Sequence, residues 1–208
     1  MDTLTKILTA AIELFRQYGF KTITMDDIVK KAGISKKTLY QHFVNKSEVV
    51  MESVIWFKKN ISTCCTLQFT EAENPIEGMV KVMATFDDIN RKMNPLTLYE
   101  MECYYPDCYK RFKESIFEDD VKKIRKNLID GKEQGYYRED INVDFLAIYR
   151  MELSMLTYNP TLLMNKTLHL YEIYNEISEH FLFGIMTAKG EKLYKKYKEK
   201  YLNQVPSI

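Results

Sequence analysis

Apolar residues recur every three or four positions from the start of the chain, which is the period of one helix face. That face is formed by Leu4, Ile7, Leu8, Ala11, Ile12, Phe15 and Tyr18. Gly19 follows the last of them, at the position where glycine commonly ends a helix. The pattern therefore predicts a first amphipathic helix that ends near Tyr18.

Two short helices are predicted directly after the first. Thr24 precedes Asp27 by three residues, which is the spacing of a capping box, so a second helix should begin there. Gly33 ends that helix, and Ser35 is placed to cap a third helix two residues later. A short corner of this kind, with its glycine, is typical of a helix-turn-helix.

The third helix has only two apolar anchors, Leu39 and Phe43, which lie four residues apart on one face. Its other positions carry Lys36, Lys37, Thr38, Tyr40, Gln41 and His42. A helix buried in a core would show a wider apolar stripe than this one. The polar face is therefore predicted to enter a major groove of DNA, as the N-terminal part of a recognition helix does.

A long fourth helix is predicted next. Asn45 and Glu48 repeat the capping-box spacing, and apolar positions continue from about Lys46 toward Phe69. This helix would lead from the helix-turn-helix into the rest of the chain.

The later part of the chain shows the same period. After a break at 71–75, helices are predicted, including one from Pro106 to about Gln134 and a last long one from Asn165. Residues 143–158 are apolar nearly all round, which indicates that neighbours cover that helix on more than one side. No alternating pattern longer than a few residues predicts a strand, so the expected fold is all-α, with about nine to ten helices.

Charge separates the first fifty residues from the rest. The 208 residues, 46% of them hydrophobic, suit one large globular domain or two small ones, and the net charge of +1 predicts no partner. Residues 1–50 carry 8 Lys or Arg and 5 Asp or Glu, whereas the remaining residues carry 22 and 24. The helix-turn-helix is thus expected to be a modestly basic module on a slightly acidic body.

Membrane insertion and export are not indicated. No apolar run approaches the roughly 18 residues that a membrane span needs, and the first residues do not have a signal-peptide pattern. The cysteines are Cys64, Cys65, Cys103 and Cys108. They show neither a CxxC motif nor zinc spacing, so we expect reduced thiols in the cytoplasm, with a redox-sensor role for Cys103 or Cys108 as the alternative.

No pattern points to catalysis, a metal or a cofactor. The sequence has no glycine-rich phosphate loop, no HExxH motif and no Ser/His/Asp set, and nothing singles out one carboxylate pair. His42 has no second ligand at a workable spacing for a metal. The expected protein is therefore not an enzyme.

Residues 7–50, ILTAAIELFRQYGFKTITMDDIVKKAGISKKTLYQHFVNKSEVV, resemble the N-terminal DNA-binding domain of TetR-family transcriptional regulators. The shared features are the Tyr-Gly-Phe turn, the Ala-Gly-Ile-Ser corner, the Thr-Leu-Tyr-x-x-Phe segment and a lysine opening the fourth helix. The rest of the chain matches only in its length and helical character.

The resemblance implies a helix-turn-helix DNA-binding domain at 1–46 and a ligand-binding and dimerisation domain at 47–208. It implies a homodimer that binds an inverted-repeat operator in double-stranded DNA, most often as a repressor. A small-molecule effector would bind in the C-terminal domain and release the DNA. The two long helices at about 143–158 and 165–188 would form a four-helix bundle with the second subunit.

The resemblance also implies DNA contacts. Those with phosphates would be made by Thr24, Tyr40, His42 and Lys46. Those with base edges or nearby backbone would be made by Ser35, Lys36, Lys37, Thr38 and Gln41. Alternatives stay open: Thr24 and Ser35 could be plain helix caps, the lysines could be solvated, and Tyr40 could be a core ring.

Thirteen of the fifteen tyrosines follow residue 50, and half-buried tyrosines suit an effector of mixed polarity. The candidate cavity residues are Phe86, Met101, Tyr104, Tyr105, Phe112, Tyr149 and Leu153, each of which could instead be ordinary core. The predicted dimer residues are Ile173, Ile177 and Phe181. A different class of protein, a helical dimeric interaction or small-molecule-binding protein without operator binding, would carry acidic or bulky residues on the third helix instead of lysines.

Overall fold

The computed structural model describes residues 2–163 and 168–202 and confirms an all-α fold, since all regular secondary structure in these residues is helical. The helices are α1 (Thr3–Tyr18), α2 (Met25–Ala32), α3 (Lys36–His42), α4 (Lys46–Thr70), α5 (Pro75–Arg91), α6 (Thr97–Tyr104), α7 (Pro106–Ser115), a π-helical turn (Ile116–Asp120), α8 (Val121–Glu133), α9 (Val143–Leu156), α10 (Pro160–Leu163), α11 (Leu170–Ile185) and α12 (Ala188–Tyr201).

The number of helices in the described residues exceeds the predicted nine to ten. The extra elements arise because the segment predicted as one helix from Pro106 is interrupted by the π-helical turn, and because the four-residue helix α10 had no sequence signal. The predicted start of the last long helix, Asn165, lies outside the described residues, and α11 begins at Leu170.

The chain divides into two compact units, Met1–Ile61 with Lys92–Glu114, and Ser62–Arg91 with Ser115–Ile208. These compact units differ from the predicted domains, which are divided at residue 46. The segment after residue 91 joins the first unit because the Asn94 amide donates to the Arg16 carbonyl at 2.6 Å. In addition, the Glu100 carboxylate accepts from the Lys21 amide at 2.9 Å. The functional boundary at residue 46 stays a prediction.

The first unit is built around the apolar faces of α1 to α4. Phe15 and Phe20 are buried, and their ring centroids lie 4.9 Å apart. Leu39 and Phe43 are also buried, which confirms that these two anchors hold α3 against its neighbours. Gly33 adopts the left-handed conformation that ends α2, so the corner between α2 and α3 can turn without strain. These features leave the other side of α3 in solvent.

The second unit has one continuous apolar core formed mainly by α5, α8, α9, α11 and α12. Tyr137, on the connection after α8, is fully buried and donates to the Asn127 side chain at 2.9 Å. The Asn127 amide in turn donates to the Pro75 carbonyl at 2.8 Å. This chain of hydrogen bonds, from Tyr137 through Asn127 on α8 to Pro75 on α5, ties the two helices together.

The helix α4 runs unbroken for 25 residues and confirms the predicted fourth helix. The boundary between the two compact units, Ile61 and Ser62, falls inside it. At this passage the chain runs from one unit to the other as helical backbone, whereas the passage after Arg91 lies at the end of α5 and leads into a loop.

Candidate nucleic-acid interface

The start of α2 is organised by Thr24. Its hydroxyl accepts from the Asp27 amide at 3.2 Å and lies 2.6 Å from the Asp27 carboxylate, which also accepts from the Thr24 amide at 2.8 Å. The hydrogen bonds from the Thr24 hydroxyl and amide hold the pKa of Asp27 below its usual value. Thr24 is thus a cap, as the alternative interpretation held, and its exposed position at a helix N-terminus also suits an anion.

Ser35 caps α3 in the same manner. Its hydroxyl accepts from the Thr38 amide at 3.0 Å and lies 2.8 Å from the Thr38 hydroxyl. The two hydroxyls stand together on the exposed N-terminal end of the helix, which is the end that recognition helices direct at base edges.

The polar face of α3 is exposed except at Thr38, which is half-buried. Lys37, Gln41 and His42 are exposed, and the Tyr40 side chain is 47% exposed, which excludes the alternative that it is a core ring. The hydroxyl of an exposed tyrosine on this face can donate to a phosphate oxygen. The structure therefore brings the predicted residues of α3 onto one accessible surface.

Lys36 differs from its neighbour Lys37 because it is paired. Its amino group lies 2.8 Å from the Asp26 carboxylate on α2, and this contact raises the pKa of Lys36. Both side chains are well exposed, so the ion pair is weak and can give way to a phosphate. No spacing within one helix indicates this pair, because it joins two helices across the corner.

Lys46 is half-buried, and its amino group donates to the Phe20 carbonyl. Burial lowers the pKa of Lys46, while the carboxylates of Glu100 and Asp27 act in the opposite direction. An ammonium group has three donors, so the bond to Phe20 leaves donors for a phosphate. The predicted contact residue is thus held in place at the N-terminal end of α4.

Sequence reasoning did not single out Val44, which directly follows the buried Phe43. Its side chain is 74% exposed, and its amide donates to the Glu48 carboxylate at 2.7 Å. An aliphatic group beside a recognition helix suits contact with a thymine methyl. The sequence signal that could have identified Val44 is that this apolar residue does not fall on the buried face given by the helix period.

The predicted cavity residues do not fall in one compact unit. Phe86, Tyr149 and Leu153 belong to the second unit, whereas Met101, Tyr104, Tyr105 and Phe112 belong to the first. Met101 is buried and Tyr104 is 52% exposed, so these two neighbours do not share one environment. Tyr105 packs on Phe20, with ring centroids 5.8 Å apart, and burial raises the pKa of Tyr105.

Two of the three predicted dimer residues are buried within the single chain. Ile173 and Phe181 are only 6% and 5% exposed, and Ile177 is half-buried. Periodicity identified an apolar stripe on α11 but could not show that this stripe faces the subunit's own core. The exposed large apolar side chains of α9 and α11 are Phe145, Ile148, Tyr149, Leu156 and Phe183.

Comparison with known proteins places the helix-turn-helix in a family. The sequence model described as "Bacterial regulatory proteins, tetR family" matches residues 7–52. The HTH-type transcriptional repressor KstR2 of Mycobacterium tuberculosis is 31% identical over 150 residues, which cover 70% of this chain and 73% of the relative. The chain belongs to the TetR family. It is accordingly a transcriptional regulator, and the relatives it matches are regulators.

Solved TetR-family structures share the fold. A regulator from Agrobacterium tumefaciens superposes with a TM-score of 0.71 at 16% identity, covering 89% of this chain and 98% of the other. The regulator FadR from Bacillus subtilis, in complex with stearoyl-CoA, gives 0.65 at 17% identity, covering 87% and 98%. In the part of the chain that the structure describes, no helix combines the length and apolar character of a membrane span.

Proposed function

We propose that this TetR-family regulator is an effector-responsive repressor that binds an inverted-repeat operator as a homodimer in the cytoplasm, without catalytic activity. The observation that carries the proposal is the exposed, capped polar face of α3, anchored only by Leu39 and Phe43. The repressor name of the M. tuberculosis relative supports the direction of regulation. Sequencing the genomic fragments that the protein retains should recover one inverted-repeat motif.

The alternative is a helical dimer that binds a small molecule and has lost operator binding. The lysines and hydroxyls kept on the free face of α3 favour the operator-binding function. Fragments retained without any common motif would favour the alternative.

The homodimer is proposed to form through the outward faces of α9 and α11. These two helices pack together in one compact unit, and Phe145, Ile148 and Phe183 are 60%, 50% and 45% exposed on them. A concentration of large exposed apolar side chains marks an interaction surface. A two-fold dimer presents two copies of α3, which is why the operator should be an inverted repeat.

We expect Lys46→Ala to weaken binding to all DNA sequences and to lower the slope of log affinity against log salt by about 1, because a phosphate contact carries no base information. Thr38→Ala or Lys37→Ala should instead change base preference at particular positions, by about 1–3 kcal/mol for a good contact. Fluorescence anisotropy at several salt concentrations, with operator and scrambled duplexes, measures both effects.

Lys30→Ala is the matched control for the lysine variants. Lys30 is exposed in the last turn of α2, where a cation interacts with the helix dipole, so its removal should leave the salt slope unchanged. A Lys46→Ala protein with altered sequence preference and an intact salt slope would contradict these roles.

The effector is proposed to be amphipathic, as stearoyl-CoA is in the FadR complex. It would act through α4, whose unbroken backbone joins the two units. A tenfold loss of operator affinity requires only about 1.4 kcal/mol of preference for the released state.

Because such coupling is reciprocal, saturating operator DNA should weaken effector binding by the same factor as the effector weakens operator binding. Calorimetric titrations of the effector into free protein and into the protein–operator complex measure the two affinities. Equal effector affinities in both titrations would show that the effector site is not a switch.

A further inference from the structure

Arg150, on α9 of the second unit, is a buried cation without a carboxylate partner among the described residues. Its side chain is 3% exposed. It donates to three hydroxyls, at 2.6 Å to Ser154, 2.9 Å to Ser178 and 3.3 Å to Tyr174. Its Nε atom is buried, and no hydrogen-bond acceptor for it is found among the residues that the structure describes.

The hydroxyls that surround the guanidinium are neutral. Burial raises the pKa of Tyr174, and the nearby Arg150 only opposes that shift, so the phenol stays protonated at neutral pH. The rings of Tyr174 and Phe181 lie 5.6 and 5.7 Å from the guanidinium carbon. Such ring contacts attract a cation, but they do not supply the negative charge that a desolvated guanidinium requires.

Other buried ions of the second unit do have charged partners. Glu77, 2% exposed, lies 3.4 Å from the Lys81 amino group and accepts from the Tyr201 hydroxyl. Asp87 accepts from Arg91 at 2.6 Å and from the Asn175 amide at 2.6 Å. Arg150 therefore differs from Glu77 and Asp87, because these two buried carboxylates each have a partner of opposite charge.

Further unsatisfied polar atoms lie on the helices around Arg150. The atoms are Asn90 Nδ2, Thr157 Oγ1 and Asn175 Oδ1, all buried and without a partner in the residues described. They stand on α5, just after α9 and on α11. We call the hydrogen-bonded cluster of Arg150, Ser154, Tyr174 and Ser178 the polar seam.

Arg150 holds the polar seam together, because it donates to Ser154, Tyr174 and Ser178. Asn90 and Asn175 are held separately: the Tyr158 hydroxyl donates to Asn90 at 2.8 Å, and Asn175 donates to Asp87. Aromatic rings flank the polar seam: Phe86 packs on Tyr174 at 5.5 Å, and Tyr149 packs on Phe181 at 6.4 Å between centroids. The surroundings of Arg150 thus combine a cation without a carboxylate partner among the described residues, neutral hydroxyls and apolar walls, which are residue types that line ligand sites.

We propose that the polar seam is the effector site and that Arg150 binds an oxyanion, a carboxylate or a phosphate, carried on an apolar body. The guanidinium matches such a group because its planar donors pair with two oxygens at once. The polar seam lies within one compact unit, so the site needs no residue from the other. This inference rests on the proposed function, which requires an effector.

Matched ten-carbon probes test the charge requirement. Decanoate and decyl phosphate carry the two candidate oxyanions, and decanol is the neutral control. Calorimetry with the wild-type protein should show that at least one anion binds about tenfold or more tightly than decanol, which corresponds to about 1.4 kcal/mol. The anion that binds more tightly shows whether the effector carries a carboxylate or a phosphate.

Arg150→Met should remove this difference, so that the anion binds no more tightly than decanol. Arg125→Met is the control, since Arg125 is exposed on α8 and its loss should keep the preference for the anion. If Arg150→Met does not fold, the wild-type comparison of anion with decanol can still overturn the inference, because the inference requires a preference for the anion. Equal binding of anion and decanol, or no saturable anion binding up to about 1 mM, would overturn the inference.

Sedimentation and operator binding, measured in parallel, distinguish an effector site from a subunit contact. If Arg150→Met binds decanoate and decyl phosphate as the wild type does but sediments as a monomer, Arg150 pairs with a second subunit and the inference is wrong. A wild-type protein that binds an operator but no anion contradicts only the inference, whereas one that binds anions but no operator contradicts only the proposed function.

Discussion

Replacing Phe145 and Ile148 together by aspartate should convert the protein to a monomer at about micromolar concentration and abolish high-affinity operator binding. Both side chains are exposed on α9 in the single chain, at 60% and 50%, so the substitutions leave the subunit's own core intact. In a two-fold dimer each subunit would bury two unpaired charges at the contact, and each buried unpaired charge costs several kcal/mol. Sedimentation measures the association.

Operator binding should be lost with the dimer. Two linked DNA-binding domains bind two operator half-sites far more tightly than a single domain binds a single half-site. Leu67→Asp is the control: Leu67 is 51% exposed on α4, outside the proposed face, and its variant should stay dimeric. Aspartate at Phe181 should instead unfold the second unit, since that ring is buried in its own core. A dimer that survives the Phe145/Ile148 double substitution would place the contact elsewhere.

Gly131→Ala should destabilise the fold by about 3 kcal/mol, at the upper end of the cost of overpacking a core. A Cβ atom at this position of α8 would lie 2.0 and 2.2 Å from ring atoms of Tyr137. The ring cannot retreat, because Tyr137 is fully buried, its hydroxyl is bonded to Asn127 and its amide to the Gly131 carbonyl. Chemical denaturation measures the free energy of unfolding.

Gly135→Ala separates crowding from backbone strain. Gly135 has a φ of +71°, and nothing lies within 4 Å of the Cβ it would gain, so only the conformational cost of about 1 kcal/mol should appear. Equal losses from the two variants would mean that the contact with Tyr137 is relieved without cost.

The helices α1 to α3 were predictable because the sequence patterns that specify them are local. The cap at Thr24, the corner at Gly33 and the anchors Leu39 and Phe43 each depend on spacings of two to four residues. The structure confirms these elements and the exposed face of α3. The ion pair of Lys36 with Asp26 was not predictable, because it depends on how two helices cross rather than on a spacing within one helix.

The body of the chain was harder to predict because its helices are apolar on more than one side. Periodicity on α11 selected Ile173 and Phe181, which face the subunit's own core, and could not distinguish that side from the outward one with Phe183. It also gave no indication of Arg150, which in sequence is one of three charged residues, with Asp144 and Glu152, in the predicted helix 143–158. Burial and the absence of a neutralising carboxylate among the described residues emerge only when α9 and α11 are brought together.

The unbroken α4 restricts how the length of this chain can change during evolution. Inserting one residue into a helix turns everything beyond it by about 100° and advances it by about 1.5 Å. An insertion between Lys46 and Thr70 would therefore turn the apolar positions beyond it away from the core in which they pack, whereas a connection without buried residues, such as 71–74, would absorb the same insertion locally. Homologous regulators with this architecture should accordingly vary in loop length while keeping the residue count of α4 constant.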